Sequence, residues 1–175
     1  MLCVIIILCD AVDYVTGKEV LCLKILVVSD SHGRASLFDE VLCKEKEGLD
    51  FLFFLGDGED DFFEVRERYL FLRVAAVRGN CDMFSSLNIS DTITVGGKKI
   101  FYSHGHAFGV KGSEDGIIAR ARSVSADAVL YGHTHSPVVK TEDSLFIMNP
   151  GALKDGRYGV ITIENGEIRG SLKRI

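Results

Sequence analysis

Tryptophan is absent from this chain of 175 residues, and only two prolines occur, Pro137 and Pro150. Proline-rich segments are therefore excluded. No low-complexity tract or internal repeat interrupts the sequence. Basic charge is in short supply: 20 Lys and Arg against 25 Asp and Glu leave a formal net charge of −5. A general nucleic-acid coat needs a basic surface and is excluded. A small anionic substrate held at a local cationic site is not. The five cysteines, at positions 3, 9, 22, 43 and 81, are odd in number, irregular in spacing and free of C-x-x-C pairs. That pattern excludes a disulfide framework and a cysteine-based structural zinc site. It reads as the reduced thiols of a cytoplasmic protein.

Long apolar runs are scarce too. Val4–Leu8, extended by Leu2, Cys3 and Cys9, gives about eight residues, far short of the roughly 20 that a membrane helix needs. It has no basic n-region and no small-residue cleavage site, so it does not read as a signal peptide. Two readings of residues 1–22 stay open. One is an extra β-strand closed by Asp10, Asp13 and Gly17; the other is an extension outside the mature protein, with translation starting at Leu23. Residues 23–175 are expected to form one functional domain.

At 47% hydrophobic and 26% charged residues, the chain can bury a core and keep a polar surface. Ile25–Val28 and Phe51–Leu55 are unbroken apolar runs, as strands buried on both faces require; Leu72–Val77 is a third strand. Helices are predicted from Ser36, as cap, to Glu47 with Gly48 as the stop, and over Asp61–Tyr69. Another is predicted over Ser113–Ser123, which opens with Glu114 and Asp115 at the positive end of its dipole. Ala128–Tyr131 is a further strand. Hairpins join Ile89–Val95 to Lys99–Tyr102 through Gly96-Gly97, and Val138–Thr141 to Leu145–Met148 around Glu142-Asp143. A last one joins Arg157–Ile163 to Ile168–Leu172 around Asn165-Gly166. Helix alternates with strand early, and hairpins dominate late. The expected class is α/β: two facing mixed β-sheets flanked by helices, an αββα sandwich.

Five short polar clusters each directly follow an apolar strand: Asp30-Ser31-His32-Gly33, Gly56-Asp57-Gly58, Gly79-Asn80-Cys81-Asp82, His104-Gly105-His106 and Gly132-His133-Thr134-His135. All five histidines of the chain lie in them. The crevice beyond the carboxyl ends of strands is where ligands bind in open α/β sheets. Singly each cluster is weak, since a strand-end Asp is commonly a turn residue; the weight lies in their joint order. Carboxylate, imidazole and amide oxygen together favour Mn²⁺, Fe²⁺, Zn²⁺, Co²⁺ or Ni²⁺. Calcium prefers more oxygens and no imidazole.

This series, D-x-H, G-D, G-N, H and G-H-x-H, resembles the calcineurin-like metallophosphoesterase superfamily. The G-N-C-D version and the S-H-G-H cluster are similar to its small bacterial and archaeal phosphodiesterases, whose fold the retromer small subunit shares. The resemblance runs from about Lys24 to the C-terminus. It implies one metal held by Asp30, His32, Asp57 and His135, and a second held by Asp57, Asn80, His104 and His133, with Asp57 bridging. It further implies two divalent cations, Mn²⁺ being the leading choice, and in-line attack on phosphorus by a hydroxide between them. Two cations less Asp30, Asp57 and the hydroxide leave about one positive charge, which complements a phosphodiester monoanion. Asp82 and His106 are the candidate catalytic residues beside the metals. Many superfamily members carry histidine where this chain has Cys81, and a neutral thiol is a poor acid for a leaving group. The expected partner is a small phosphate ester, with no membrane; self-association is left open. The runner-up reading is a non-catalytic interaction scaffold on the same fold.

Overall fold

A strand covered on both sides can be apolar throughout, and the central strands of this protein are. The computed structural model describes residues 22–175 and the backbone of Ala11–Val12 and Glu19–Val20. Ala11–Val12 (β1) pairs antiparallel with Glu19–Val20 (β2). The extra strand expected around Val4–Leu8 lies outside the described residues.

In one five-stranded sheet, Cys22–Val28 (β3), Leu49–Phe54 (β4) and Arg73–Ala76 (β5) run parallel. Arg157–Glu164 (β11) and Glu167–Arg174 (β12) extend it antiparallel, in the order β12-β11-β3-β4-β5. The second five-stranded sheet comprises Ser90–Val95 (β6), Lys98–Ser103 (β7), Ala128–Leu130 (β8), Val138–Glu142 (β9) and Leu145–Asn149 (β10). Its order is β6-β7-β8-β10-β9, with β8 parallel to both neighbours.

Period-two alternation divides the core. Ile25, Val27, Phe51 and Phe53 of the first sheet pack against Ile100, Tyr102, Leu130 and Met148 of the second. The alternate residues Leu26, Val28, Leu52 and Phe54 turn outward. They are covered by Phe38, Val41 and Leu42 of helix α1 (Ala35–Glu45) and by Phe62 and Val65 of α2 (Glu59–Arg66). The outer face of the second sheet buries Phe101, Val129 and Ile147 under Ile117, Ile118 and Ala121 of α3 (Asp115–Ser123). The expected αββα sandwich is therefore the observed one. Truncating a core ring such as Phe53 would cost about 3–5 kcal/mol. Among the described residues, no helix is long and apolar enough to cross a membrane.

Element ends shift where caps differ from expectation. Helix α1 starts at Ala35 with Arg34 as its cap residue and no side-chain cap bond, so Ser36 is not the cap. Helix α2 begins at Glu59, two residues before the expected start. The last-sheet hairpin turns at Asp143-Ser144, both at positive φ (45° and 67°), one residue later than Glu142-Asp143. Strand β9 simply keeps its ladder through Glu142.

Candidate metal centre

Each of the five polar clusters leaves the carboxyl end of a strand and enters the same crevice. The first-sheet ladder continues into two of the loops: Asp30 N–H donates to the Gly56 carbonyl (2.9 Å) and His32 N–H to the Asp57 carbonyl (3.1 Å). Across the crevice, Gly132 N–H donates to the His104 carbonyl at 3.1 Å. Asp30, His32, Asp57, His133 and His135 all sit at positive φ, between 45° and 66°. Non-glycine residues avoid this region unless the surroundings hold them there, and such residues gather at functional sites.

The side chains fall into two groups joined by one carboxylate. In the first, His135 Nε2 is 3.1 Å and His32 Nε2 3.7 Å from Asp30 Oδ1. In the second, His104 Nε2 is 3.4 Å from Asp57 Oδ2 and 3.1 Å from His133 Nδ1. Asp57 Oδ2 is also 3.9 Å from His32 Nε2, so this oxygen lies between the groups. Asp30, His32 and His135 can share one cation, and Asp57, His104 and His133 another. Asn80 is exposed beside them, with its amide nitrogen 3.4 Å from Cys81 Sγ.

These donors fit metal ions on their own terms. Asp30 Oδ1 and His32 Nε2 are buried and have no hydrogen-bond partner among the described residues. Orphaned polar atoms of this kind are costly unless something else satisfies them. The other oxygen of Asp30 is fixed by Ser29 Oγ (2.6 Å) and by His133 N–H (3.1 Å), which aims Oδ1 into the crevice. His104 Nδ1 lies 2.7 Å from the Leu55 carbonyl oxygen. A carbonyl only accepts, so that nitrogen carries the proton and Nε2 is left as the donor atom, the arrangement expected of a metal-binding imidazole.

Charge follows the same geometry. Burial by itself would raise the Asp57 pKa, but the contact with His104 and the Cys81 N–H (2.8 Å to Oδ1) hold it well below the usual carboxylate range. Burial would lower that of His104, and Asp57 and Asp30 more than offset it, raising it. His133 and His106 are pushed down, by burial and then by the charge of His104. Partial desolvation and the neighbouring Asp57 push the Cys81 thiol up to about 11, although the residue as a whole is exposed.

Asp82 does something its sequence position does not reveal. Its two oxygens accept the N–H groups of Asp57 (2.8 Å), Gly58 (2.9 Å), Glu59 (3.1 Å) and Gly79 (2.7 Å). His106 opens a short 3₁₀ turn with its ring centroid 5.5 Å from that of His104, and its buried Nδ1 is unpartnered among the described residues.

Several supports escape sequence reasoning. Asp61, one of three successive acids with Glu59 and Asp60, is buried, and its Oδ2 accepts Gly33 N–H at 2.8 Å and Arg34 N–H at 3.1 Å. Asn149, fully buried, donates to the Gly132 carbonyl at 2.9 Å and to Thr134 Oγ1 at 3.0 Å, bracing the G-H-x-H loop. Gly79 and Gly132 are required by close approach: a Cβ would collide with Asp57 at the first and with Ser29 Oγ at the second. The glycines beside the clusters are the one trace of this in the sequence.

A cleft of about 490 Å³ opens from His32, Asp57 and Cys81 toward Phe63, Met83 and Phe84. The chain thus presents, at the end of an open cleft, groups of side chains that could each hold a cation.

Comparison with known proteins agrees. The chain is 29% identical over 149 residues to a probable metallophosphoesterase, YsnB, of Bacillus subtilis, covering 82% of this chain and 86% of that one. It is 29% identical over 159 residues to the phosphodiesterase YfcE of Escherichia coli K12, covering 78% and 83%. The solved structure of vacuolar protein sorting 29 from Cryptosporidium parvum superposes with a TM-score of 0.69 at 15% identity, over 88% of this chain and 98% of that one, a likeness of fold alone. Residues 23–166 match the family model of the calcineurin-like phosphoesterase superfamily domain, and the chain belongs to that superfamily.

Proposed function

We propose that the chain is a phosphodiesterase that works with two divalent cations. Asp30, His32, Asp57 and His135 hold one, and Asp57, Asn80, His104 and His133 the other. The observation that carries this reading is the place of Asp57 Oδ2, within 3.9 Å of His32 on one side and 3.4 Å of His104 on the other. A paired centre supplies an activated water and neutralises charge on the phosphoryl oxygens. The protein's own residues do the rest. Asp30 and Asp57 cancel part of the cationic charge and leave enough for a monoanionic diester. Asp82 fixes the Asp57 loop through four backbone N–H groups, a positioning role. We assign His106, whose ring centroid lies 5.5 Å from that of His104, to the wall beside that imidazole. A pure scaffold would gain nothing from the orphaned atoms of Asp30 and His32.

The name of the Escherichia coli relative supports a diester, as does the residual charge. The test is a metal-free preparation reconstituted with Mn²⁺, Fe²⁺, Zn²⁺, Co²⁺ or Ni²⁺, titrated by calorimetry and assayed on matched aryl mono- and diesters. The expected result is two bound cations and a diester preference. Activity that survives complete metal removal would reject the reading.

A further inference from the structure

The turn that follows Asp82 displays apolar side chains that nothing among the described residues covers. Phe84 is 98% exposed and Met83 76%, and Phe63 on α2 is 43% exposed across the same cleft. Isolated exposed apolar residues are ordinary, but three around one cleft form a patch. The display is built into the site. Ser85 N–H donates to the Asp82 carbonyl at 3.2 Å and Met83 N–H to the Cys81 carbonyl at 3.1 Å, so the turn is closed on itself. Its root is Asp82, whose carboxylate grips the Asp57 loop. The apolar rim is thereby tied to Asp57 through Asp82 and through Cys81, whose N–H meets Asp57 Oδ1. Glu59 and Asp60 line the same cleft. A second anionic group on the bound ester would meet their carboxylates, whereas a flat uncharged ring would meet Phe63 and Phe84. Aromatic side chains favour stacked or edge-on rings in such settings.

Resting on the phosphodiesterase reading, we propose that Phe63, Met83 and Phe84 form a specificity rim that receives an uncharged aromatic ester group, aryl or nucleobase in kind.

Uncleavable phosphinates, monoanionic like the proposed diester, separate this claim from catalysis. Calorimetry of the cation-loaded protein should show methyl(phenyl)phosphinate binding about tenfold tighter than dimethylphosphinate, the scale of one buried ring contact. A 4-carboxyphenyl analogue should lose that advantage. In the Phe63→Ala/Phe84→Ala double variant, both sites being exposed, the phenyl-to-methyl ratio should fall close to one with cation content unchanged. The proposal is overturned if wild-type protein binds both phosphinates alike, if the carboxylated ring binds as well as the plain one, or if the double variant keeps the ratio. It is overturned equally if light scattering finds a dimer that Phe84→Ala dissociates, because the rim would then face a second copy. Should neither phosphinate bind despite bound cations, the phosphodiesterase reading itself has failed and the rim proposal with it.

Discussion

His104 Nε2 lies 3.4 Å from Asp57 Oδ2 although the two side chains come from facing sheets, His104 after β7 and Asp57 after β4. The opposite nitrogen of the same ring meets the Leu55 carbonyl at 2.7 Å, so one imidazole spans the gap between the layers. Replacing it, His104→Ala, removes a donor from the second group and strands a carbonyl near the top of the core. The variant is expected to bind one cation equivalent fewer and to lose about 1–3 kcal/mol of stability. Calorimetric metal titration and urea unfolding check both; retention of full stoichiometry would contradict the assignment of His104.

Asp82→Asn tests positioning against direct chemistry. The amide can still accept hydrogen bonds through one oxygen but sets an NH₂ group against backbone N–H groups. Metal affinity should fall about 10–100-fold, as it does when a residue supporting a ligand is altered. If Asp82 instead contacts substrate, kcat should drop while metal affinity stays unchanged.

The absence of histidine at Cys81 has a kinetic consequence. With its thiol pushed up to about 11, Cys81 stays neutral at physiological pH, and the site favours esters whose alcohols leave without help. Cys81→His should raise turnover of alkyl diesters by about 10²-fold and flatten the dependence of rate on leaving-group acidity. A wild-type rate indifferent to leaving-group acidity would remove the premise.

Acid sensitivity should trace to Glu45, which is buried and bound by Lys24 (3.0 Å), Lys173 (2.9 Å) and Tyr158 (2.9 Å). Burial would raise its pKa, but Lys173, Lys24 and Tyr158 together lower it from 4.5 to about 2. The folded-state value lies below the unfolded one. Its contribution is therefore fully present above about 4.5 and fades as the pH drops toward about 2. The shift corresponds to roughly 3 kcal/mol. Glu45→Gln should lower stability at pH 7 and converge with wild type in strong acid, as followed by urea unfolding across that range. Curves that stay parallel down to pH 2 would show that Glu45 does not set the acid limb.

The parts of this protein legible in its sequence are those whose signal is local. Ile25–Val28 and Phe51–Leu55 announce central strands because burial on both faces leaves no room for polar residues. The candidate ligands stand out because they are special side chains clustered directly after strands, most of them beside a glycine. What stayed hidden depends on partners far along the chain. Asp61 reads as one acid among three, and only the fold brings the N–H groups of Gly33 and Arg34 to it. Asp82 is conspicuous by type, but the direction in which its carboxylate points is set by backbone that folds separately. Asn149 braces the G-H-x-H loop from another strand, and no spacing rule connects them.

His133 N–H reaches the Asp30 carboxylate across a sequence separation of 103 residues. Contacts between such distant points of a chain form only after large loops have closed. A ribosome-bound fragment ending before residue 133 would hold both aspartates yet lack half of the imidazoles they face. Maturation of the crevice is consequently a late event, coincident with docking of the two layers. Cations meeting such a nascent chain would find two carboxylates and two imidazoles rather than a finished cradle.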